Sequence, residues 1–472
     1  MICNARIYTF LTLTIKRKMT IKYSFKILFL ITLTSFFSFK RANNNYKAHE
    51  LTIIDQSPIA FTGKGGLSQL ATFAQNGTSS NHSGILRIGS SNGQVRKPAV
   101  AAPPVTYPSY NVSPKVPDST GMRSNAVQLA TKIKLGWNIG NTFEAPGGET
   151  GWGSPVITED YIKCVKNQGF NAIRLPCAWN LTHLADEREA RIDTNWLNRI
   201  KEVVGYCVKN DMYVLLNIHW DKGWLENNCT TTKKDAVNAK QKALWEQIAT
   251  AMRDFDEHLM FASANEPNVD NANQMDVLNS YHQTFINAVR STGGRNSYRV
   301  LVIQGPSTDI DKTNNLMNRF PIDKVERRMM LEVHYYSPFQ FCLMNGDATW
   351  GKMFYYWGAG HHSTTEPDRN ATWAEENEVN KAFEKLKTNF FDKGIPVIMG
   401  EYGAYRRSNG KDVPKDLAIH NDAVDYWLTY ITKQAKANGM LPFFWDTGGT
   451  LDRQNYSVKD QRTIVALNAG AN

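Results

Sequence analysis

Residues 259–267 read Leu-Met-Phe-Ala-Ser-Ala-Asn-Glu-Pro. Six apolar or small residues end abruptly in Asn265 and Glu266, and Pro267 closes the run. A short, continuous apolar run with a proline boundary reads as a strand buried on both faces. Polar groups placed directly after it are costly to desolvate unless they find partners, so the end of this strand already points to a site. Seven further runs follow the same design: 133–139, 171–176, 213–218, 299–304, 329–333, 395–399 and 441–444. Each leads into a polar or aromatic cluster and then toward a segment with helical spacing. The amphipathic stretches 195–208 and 379–391 are the clearest of those helices.

Eight such repeats in about 340 residues predict an α/β protein of the (β/α)8 TIM-barrel class with loop insertions, rather than an open doubly wound sheet. No glycine-rich dinucleotide or phosphate loop opens any of the helices, which weakens the doubly wound alternative further. In such a barrel the C-terminal strand ends meet at one mouth. In chain order those ends carry Trp137, Asn138 and Asn141; Arg174; Asn217, His219 and Trp220; Asn265 and Glu266; Gln304; His334 and Tyr336; Glu401 and Tyr402; Trp445 and Asp446. Glu332 lies two residues before His334, on the same face and one step deeper.

Glu266 and Glu401 are the pair that suggests chemistry. Two carboxyls facing each other across a barrel mouth suit glycoside hydrolysis, one as acid/base and the other as nucleophile, about 5–5.5 Å apart in a retaining enzyme. Asn265 is suited to hold a sugar 2-hydroxyl. Arg174 can keep Glu401 ionised, and apolar surroundings or a neighbouring carboxylate can keep Glu266 protonated. On residue chemistry alone the competing reading, two glutamates acting as salt-bridge partners, stays open.

Composition narrows the classes. The chain has 472 residues and is 42% hydrophobic, 11% aromatic and 21% charged, enough for a large core and incompatible with a disordered or fibrous chain. Its net charge of +10 is unevenly spread. Residues 1–50 hold nine Lys/Arg against one Asp/Glu, residues 51–117 five against one, and the rest 40 against 42. The basic excess is terminal, so no nucleic-acid partner is expected. All twelve Trp fall between Trp137 and Trp445; they are either core or platforms for sugar rings.

Residues 1–41 read as a leader: a basic stretch at 22–26, an apolar run at 27–39, then Lys40 and Arg41, with Met19 a second possible start. The expected destination is outside the cell, on its surface or in the periplasm, with no stable membrane span once the leader is gone. Residues 42–97 are rich in Ser, Gly, Asn and Thr and fit a small β element or a disordered segment. Residues 98–117 hold six of the eighteen prolines and read as an extended linker, leaving 118–472 as the catalytic domain. Cys164, Cys177, Cys207, Cys229 and Cys342 match no zinc spacing and read as buried or unpaired thiols.

The order of motifs Leu135-Gly-Trp-Asn-Ile-Gly-Asn-Thr142, Asn171-Ala-Ile-Arg-Leu-Pro176, Asn217-Ile-His219, Asn265-Glu-Pro267, His334-Tyr-Tyr336, Gly400-Glu-Tyr-Gly403 and Phe444-Trp-Asp446 closely resembles glycoside hydrolase family 5, the cellulase family, over residues 120–465. The resemblance implies a secreted, retaining endo-β-1,4-glucanase, monomeric and without cofactor or metal, that hydrolyses a β-glucan. Glu266 would be its acid/base and Glu401 its nucleophile, with Arg174, His219, Asn265, His334, Tyr336 and Trp445 at the family's other active-site positions. Tyr336 is expected to hydrogen-bond Glu401, and Trp445 to floor a subsite. Relatives with this opening motif often carry two consecutive His on strand 3, whereas here Trp220 follows His219, which leaves polysaccharide preference open among cellulose, xyloglucan, mixed-linkage glucan and β-mannan. An inactive sugar-binding barrel is the rival of another class. The aromatic insertion at 347–368 is placed to wall the cleft, and its His361-His362 is not expected to be a metal pair.

Overall fold

The computed structural model describes residues 105–472 except Lys411; the leader, the 42–97 segment and the first part of the linker lie outside the described residues. Each apolar run forms a strand: β1 Gly136–Ile139, β2 Ala172–Leu175, β3 Tyr213–Asn217, β4 Leu259–Ala262, β5 Leu301–Gln304, β6 Met329–Tyr335, β7 Val397–Tyr402 and β8 Met440–Asp446. They pair in parallel and in chain order, and β8 returns to β1 to close a (β/α)8 barrel. The last three strands run further than their apolar runs, because ladder hydrogen bonds are made by backbone and tolerate His334, Glu401 or Asp446 equally well. The two clearest helices form as Thr194–Lys209 and Glu376–Asn389. The first is capped by Asp193, whose side chain accepts from the N–H groups of Asn195 and Trp196.

Alternation along the strands sorts residues into two layers. Ala172, Leu215, Met260, Ala262, Val302, Met330, Ile398 and Phe443 fill the barrel interior. The short helix Ala126–Ala130 closes its N-terminal end, adding Ala126, Leu129, Ala130 and Ile133 to the same cluster. The opposite faces pack against the surrounding helices. Trp137 lies there, which corrects its placement at the mouth. It is fully buried, its Nε1 donates to the Tyr161 hydroxyl at 3.1 Å, and its ring meets Phe170 and Phe444. With Asn138 turned inward, period two forces Trp137 outward. Trp179, Trp245, Trp357 and Trp427 are fully buried as well, so core packing accounts for five of the twelve tryptophans.

The described part of the expected linker is not a free spacer. Ser109 Oγ and Tyr110 N–H both donate to the Glu246 carboxylate, Asn111 Nδ2 donates to the Ser291 carbonyl, and Lys115 pairs with Asp254. Lys115–Pro117 then forms a two-stranded ladder with Gly293–Gly294. Proline favours the extended backbone, but side chains and N–H groups between the prolines are free to bond, and here they strap the segment to the barrel. The 347–368 insertion is also folded on itself: Asp347 pairs with Arg369, Lys352 with Asp368, and Tyr355 and Tyr356 are buried with Met344 and Met353. His361 stacks on Tyr426 and His362 pairs with Glu375. The five cysteines among the described residues are buried free thiols. Among the described residues no helix is long and apolar enough to cross a membrane.

Candidate active site

Arg174 rises from β2 into the barrel mouth and is completely buried. A guanidinium without solvent needs several polar partners, and four strands supply acceptors or counter-ions. Nη1 lies 2.8 Å from Glu401 Oε1 of β7 and 3.0 Å from Asn138 Oδ1 of β1. Nη2 donates to Asn265 Oδ1 beyond β4 at 2.7 Å, and Nε pairs with Glu332 Oε1 of β6 at 2.8 Å. Asn138 is equally buried and donates in turn to the carbonyls of Gly400 and Phe443. Both residues therefore hold the site together from beneath.

Alternation alone would turn Glu401 outward, since Ile398 and Gly400 face in. The pairing register of β7 shifts between Met399 and Tyr402, and the irregularity re-aims Glu401 into the mouth. Gly400 is required by what lies beside it: a Cβ there would stand 2.0 Å from Glu332 Oε1.

The two glutamates sit in different surroundings. The Glu266 side chain is 46% exposed and the Glu401 side chain 8%. His334 Nδ1 lies 2.7 Å from Glu266 Oε1 and 3.8 Å from Glu401 Oε1, so the imidazole bridges the pair. Burial alone would lower the His334 pKa, but Glu401, Glu266 and Glu332 outweigh it and push it up to about 9. Burial likewise raises the Glu401 carboxyl above its ordinary range, with His334 and Arg174 pulling against it. Glu332 goes the other way: burial opposes ionisation, yet Arg174, His334 and Gln304 hold it below the usual carboxylate range. The Tyr336 hydroxyl donates to Glu401 Oε2 at 3.1 Å, and burial together with Glu401 keeps that phenol protonated.

On the β8 side Trp445 is half-buried and stacks on His219, ring centroids 5.8 Å apart. Burial, with the Arg174 charge, keeps His219 neutral. Asn141 follows β1 in the left-handed region at φ 60°, and its backbone bonds run to Glu144 and Ser154 rather than to the carboxyl pair. Thus Glu266, Glu401, Arg174, Asn265, His334, Tyr336 and Asn138 form one connected group, His219 and Trp445 make an adjoining wall, and Trp137 is outside.

Three residues in the group went unread or half-read in the sequence. Glu332, placed one step deeper, is the second counter-ion of Arg174. Gln304 ties Glu332 to the β4 end, donating to Glu332 Oε2 at 2.7 Å and accepting from the Ala264 N–H at 2.8 Å. Glu226, in a loop without periodicity, accepts the backbone N–H of Glu266; only its apolar flanks Leu225 and Cys229 hinted at burial.

One ligand atom from each of Glu266, His334 and Glu401 falls within a span of 4.8 Å, close enough to surround a small cation. The same carboxylates that push the His334 pKa up to about 9 favour its doubly protonated form, which donates hydrogen bonds to them. The arrangement is better suited to acid–base and nucleophilic work on a substrate. Two acidic side chains set close together at the mouth of a closed parallel barrel suit glycoside hydrolysis.

The profile of the family described as Cellulase (glycosyl hydrolase family 5) matches residues 138–450. The chain belongs to that family and is a glycoside hydrolase. A xyloglucan-specific endo-β-1,4-glucanase of Bacteroides ovatus, BoGH5A, is 34% identical over 75% of this chain and 72% of its own length. Endoglucanase A of Paenibacillus barcinonensis is 32% identical, covering 74% and 91%. Among solved structures, XEG5B, a xyloglucan-specific β-1,4-glucanase from a ruminal metagenomic library in complex with XXLG, is 37% identical with a TM-score of 0.68, covering 74% of this chain and 96% of that one.

Proposed function

We propose that the protein is a secreted, retaining endo-β-1,4-glucanase. The observation that supports this reading is the carboxyl pair: an oxygen of Glu266 and one of Glu401 lie within 4.8 Å, nearer to the separation of about 5–5.5 Å in retaining enzymes than to the wider gap that admits a water. Glu401, aligned by Arg174 and Tyr336, attacks the anomeric carbon while Glu266 protonates the leaving oxygen. Glu266 then takes a proton from water, which hydrolyses the glycosyl-enzyme and regenerates free Glu401. Glu266 is the more exposed of the two, as a residue exchanging protons with a leaving group and with water should be. The apolar run at 27–39 supports export.

Purified Glu266→Gln and Glu401→Gln proteins are expected to be folded and to lose at least ~10³-fold in kcat on a soluble cellulose derivative. Substantial turnover by either would remove its target from the mechanism.

A second reading, xyloglucan as the preferred backbone, is favoured by the specificity of two of these relatives. Reducing-end release from xyloglucan, carboxymethylcellulose, mixed-linkage glucan and β-mannan, compared as kcat/KM, decides between the substrates.

A further inference from the structure

We infer that Glu226 is a positioning residue for the proton donor: its buried carboxyl grips the backbone N–H of Glu266 and thereby fixes where that side chain points. This inference rests on the reading of Glu266 as acid/base.

β4 ends at Ala262, so Glu266 stands four residues beyond the last ladder position and cannot inherit its aim from the sheet. Asn265 is held by Arg174 and Ala264 by Gln304, the Glu266 carboxyl meets His334 and the Pro267 carbonyl accepts from the Ser307 N–H, which leaves the backbone N–H groups of Glu266-Pro-Asn268 to be accounted for. Pro267 has no N–H, so this segment owns two backbone donors, and both go to one residue. The Glu266 N–H donates to Glu226 Oε1 at 2.6 Å, and the Asn268 N–H donates to the Glu226 carbonyl at 3.0 Å. Asn268 Nδ2 adds a bond to Asn227 Oδ1 at 2.6 Å. Glu226 itself is only 3% exposed and sits in the short 3-10 turn Glu226–Asn228, so the clamp cannot drift with solvent-exposed loops. Burial pushes the Glu226 carboxyl up to about 8. Near neutral pH it is therefore mostly a neutral acid whose carbonyl oxygen accepts the bond, a part an amide performs equally well.

The test compares two substrates that differ in their need for the acid. Departure of a sugar or a cellooligosaccharide requires protonation by Glu266, whereas 2,4-dinitrophenolate leaves a cellobioside without help. Because kcat/KM covers steps only up to bond cleavage, Glu226→Ala should lose between about ten- and a hundredfold in kcat/KM on cellotetraose, the scale of a small misalignment, and at most about threefold on the dinitrophenyl glycoside. Glu226→Gln should stay within about threefold of the parent on both, since it keeps the acceptor. If Glu226→Ala does not fold, Glu226→Asp, one methylene too short to reach, carries the same readout. Equal losses on the two substrates in a folded variant would overturn the inference, as would a Glu226→Gln protein as impaired as Glu226→Ala. A parent protein inert on both substrates would instead overturn the proposed function, and this inference with it.

Discussion

The two ends of the barrel are built on opposite principles. At the N-terminal end, Ala126, Leu129 and Ala130 of a short helix, with Ile133 after it, join Leu215, Met260, Met330 and Phe443 in one apolar cluster. At the C-terminal end, Arg174, Glu332, Glu401 and His334 are buried together, and nearly every contact is an ion pair or a charge-assisted hydrogen bond. Apolar packing is non-directional and gains free energy with area. Buried charges gain little net stability but hold donor and acceptor atoms at fixed angles. One end supplies stability and the other supplies geometry.

That division is open to attack. Arg174→Met should do the most damage at the mouth, because it takes the guanidinium from Glu332 and Glu401 and leaves buried Glu332 only His334 and Gln304: removing one member of a buried pair costs about 3–5 kcal/mol. Since Arg174 helps hold the Glu332 pKa below its unfolded value, the stability it contributes is present at neutral pH and lost as pH falls through the folded value. Urea titrations should therefore show a larger deficit at pH 7 than in acid. In whatever folded activity remains, the acid limb of kcat/KM should move to higher pH, as Glu401, already raised by burial, loses a cation favouring its charged form. An unmoved limb in an active variant would remove Arg174 from the control of the nucleophile.

Leu129→Ala at the other end should cost about 2–5 kcal/mol in chemical denaturation and leave kcat/KM within twofold where the protein is folded. A pH profile altered by this variant would show the two ends to be coupled. The smallest effect belongs to the strap. Glu246→Ala removes the acceptor of Ser109 and Tyr110 and should lower stability by about 1–2 kcal/mol with no change in activity.

Most of the barrel was legible because its signals are local. Eight apolar runs and the polar residues that follow them require no knowledge of the partner strand. Where reading failed, the missing information was non-local. Trp137 and Asn138 are adjacent in sequence, and only their partners, Tyr161 for one and Arg174 for the other, show which faces the interior. The position of Glu401 after an apolar run puts it correctly at the mouth, although the register shift that turns it inward is visible in no single strand. Glu226 lies in an aperiodic loop, and its partner is a backbone N–H forty residues away. For the described part of the proline-rich segment the missing information is again non-local: composition says nothing of what the chain lies against, and Ser109, Tyr110 and Lys115 find partners on the barrel.

The Arg174 guanidinium draws its hydrogen-bond acceptors from β1, β7 and the end of β4 and a second counter-ion from β6, while Asn138 reaches across the closing seam to the backbone of β8. A ring joined one residue out of register would leave that cation facing hydrocarbon or an unmatched carbonyl, at a cost of several kcal/mol. Competing closures of the barrel are thus penalised by the same atoms that align the nucleophile, so a chain that has assembled wrongly is both unstable and inactive, and a chain with a working site has, by that fact, been proofread.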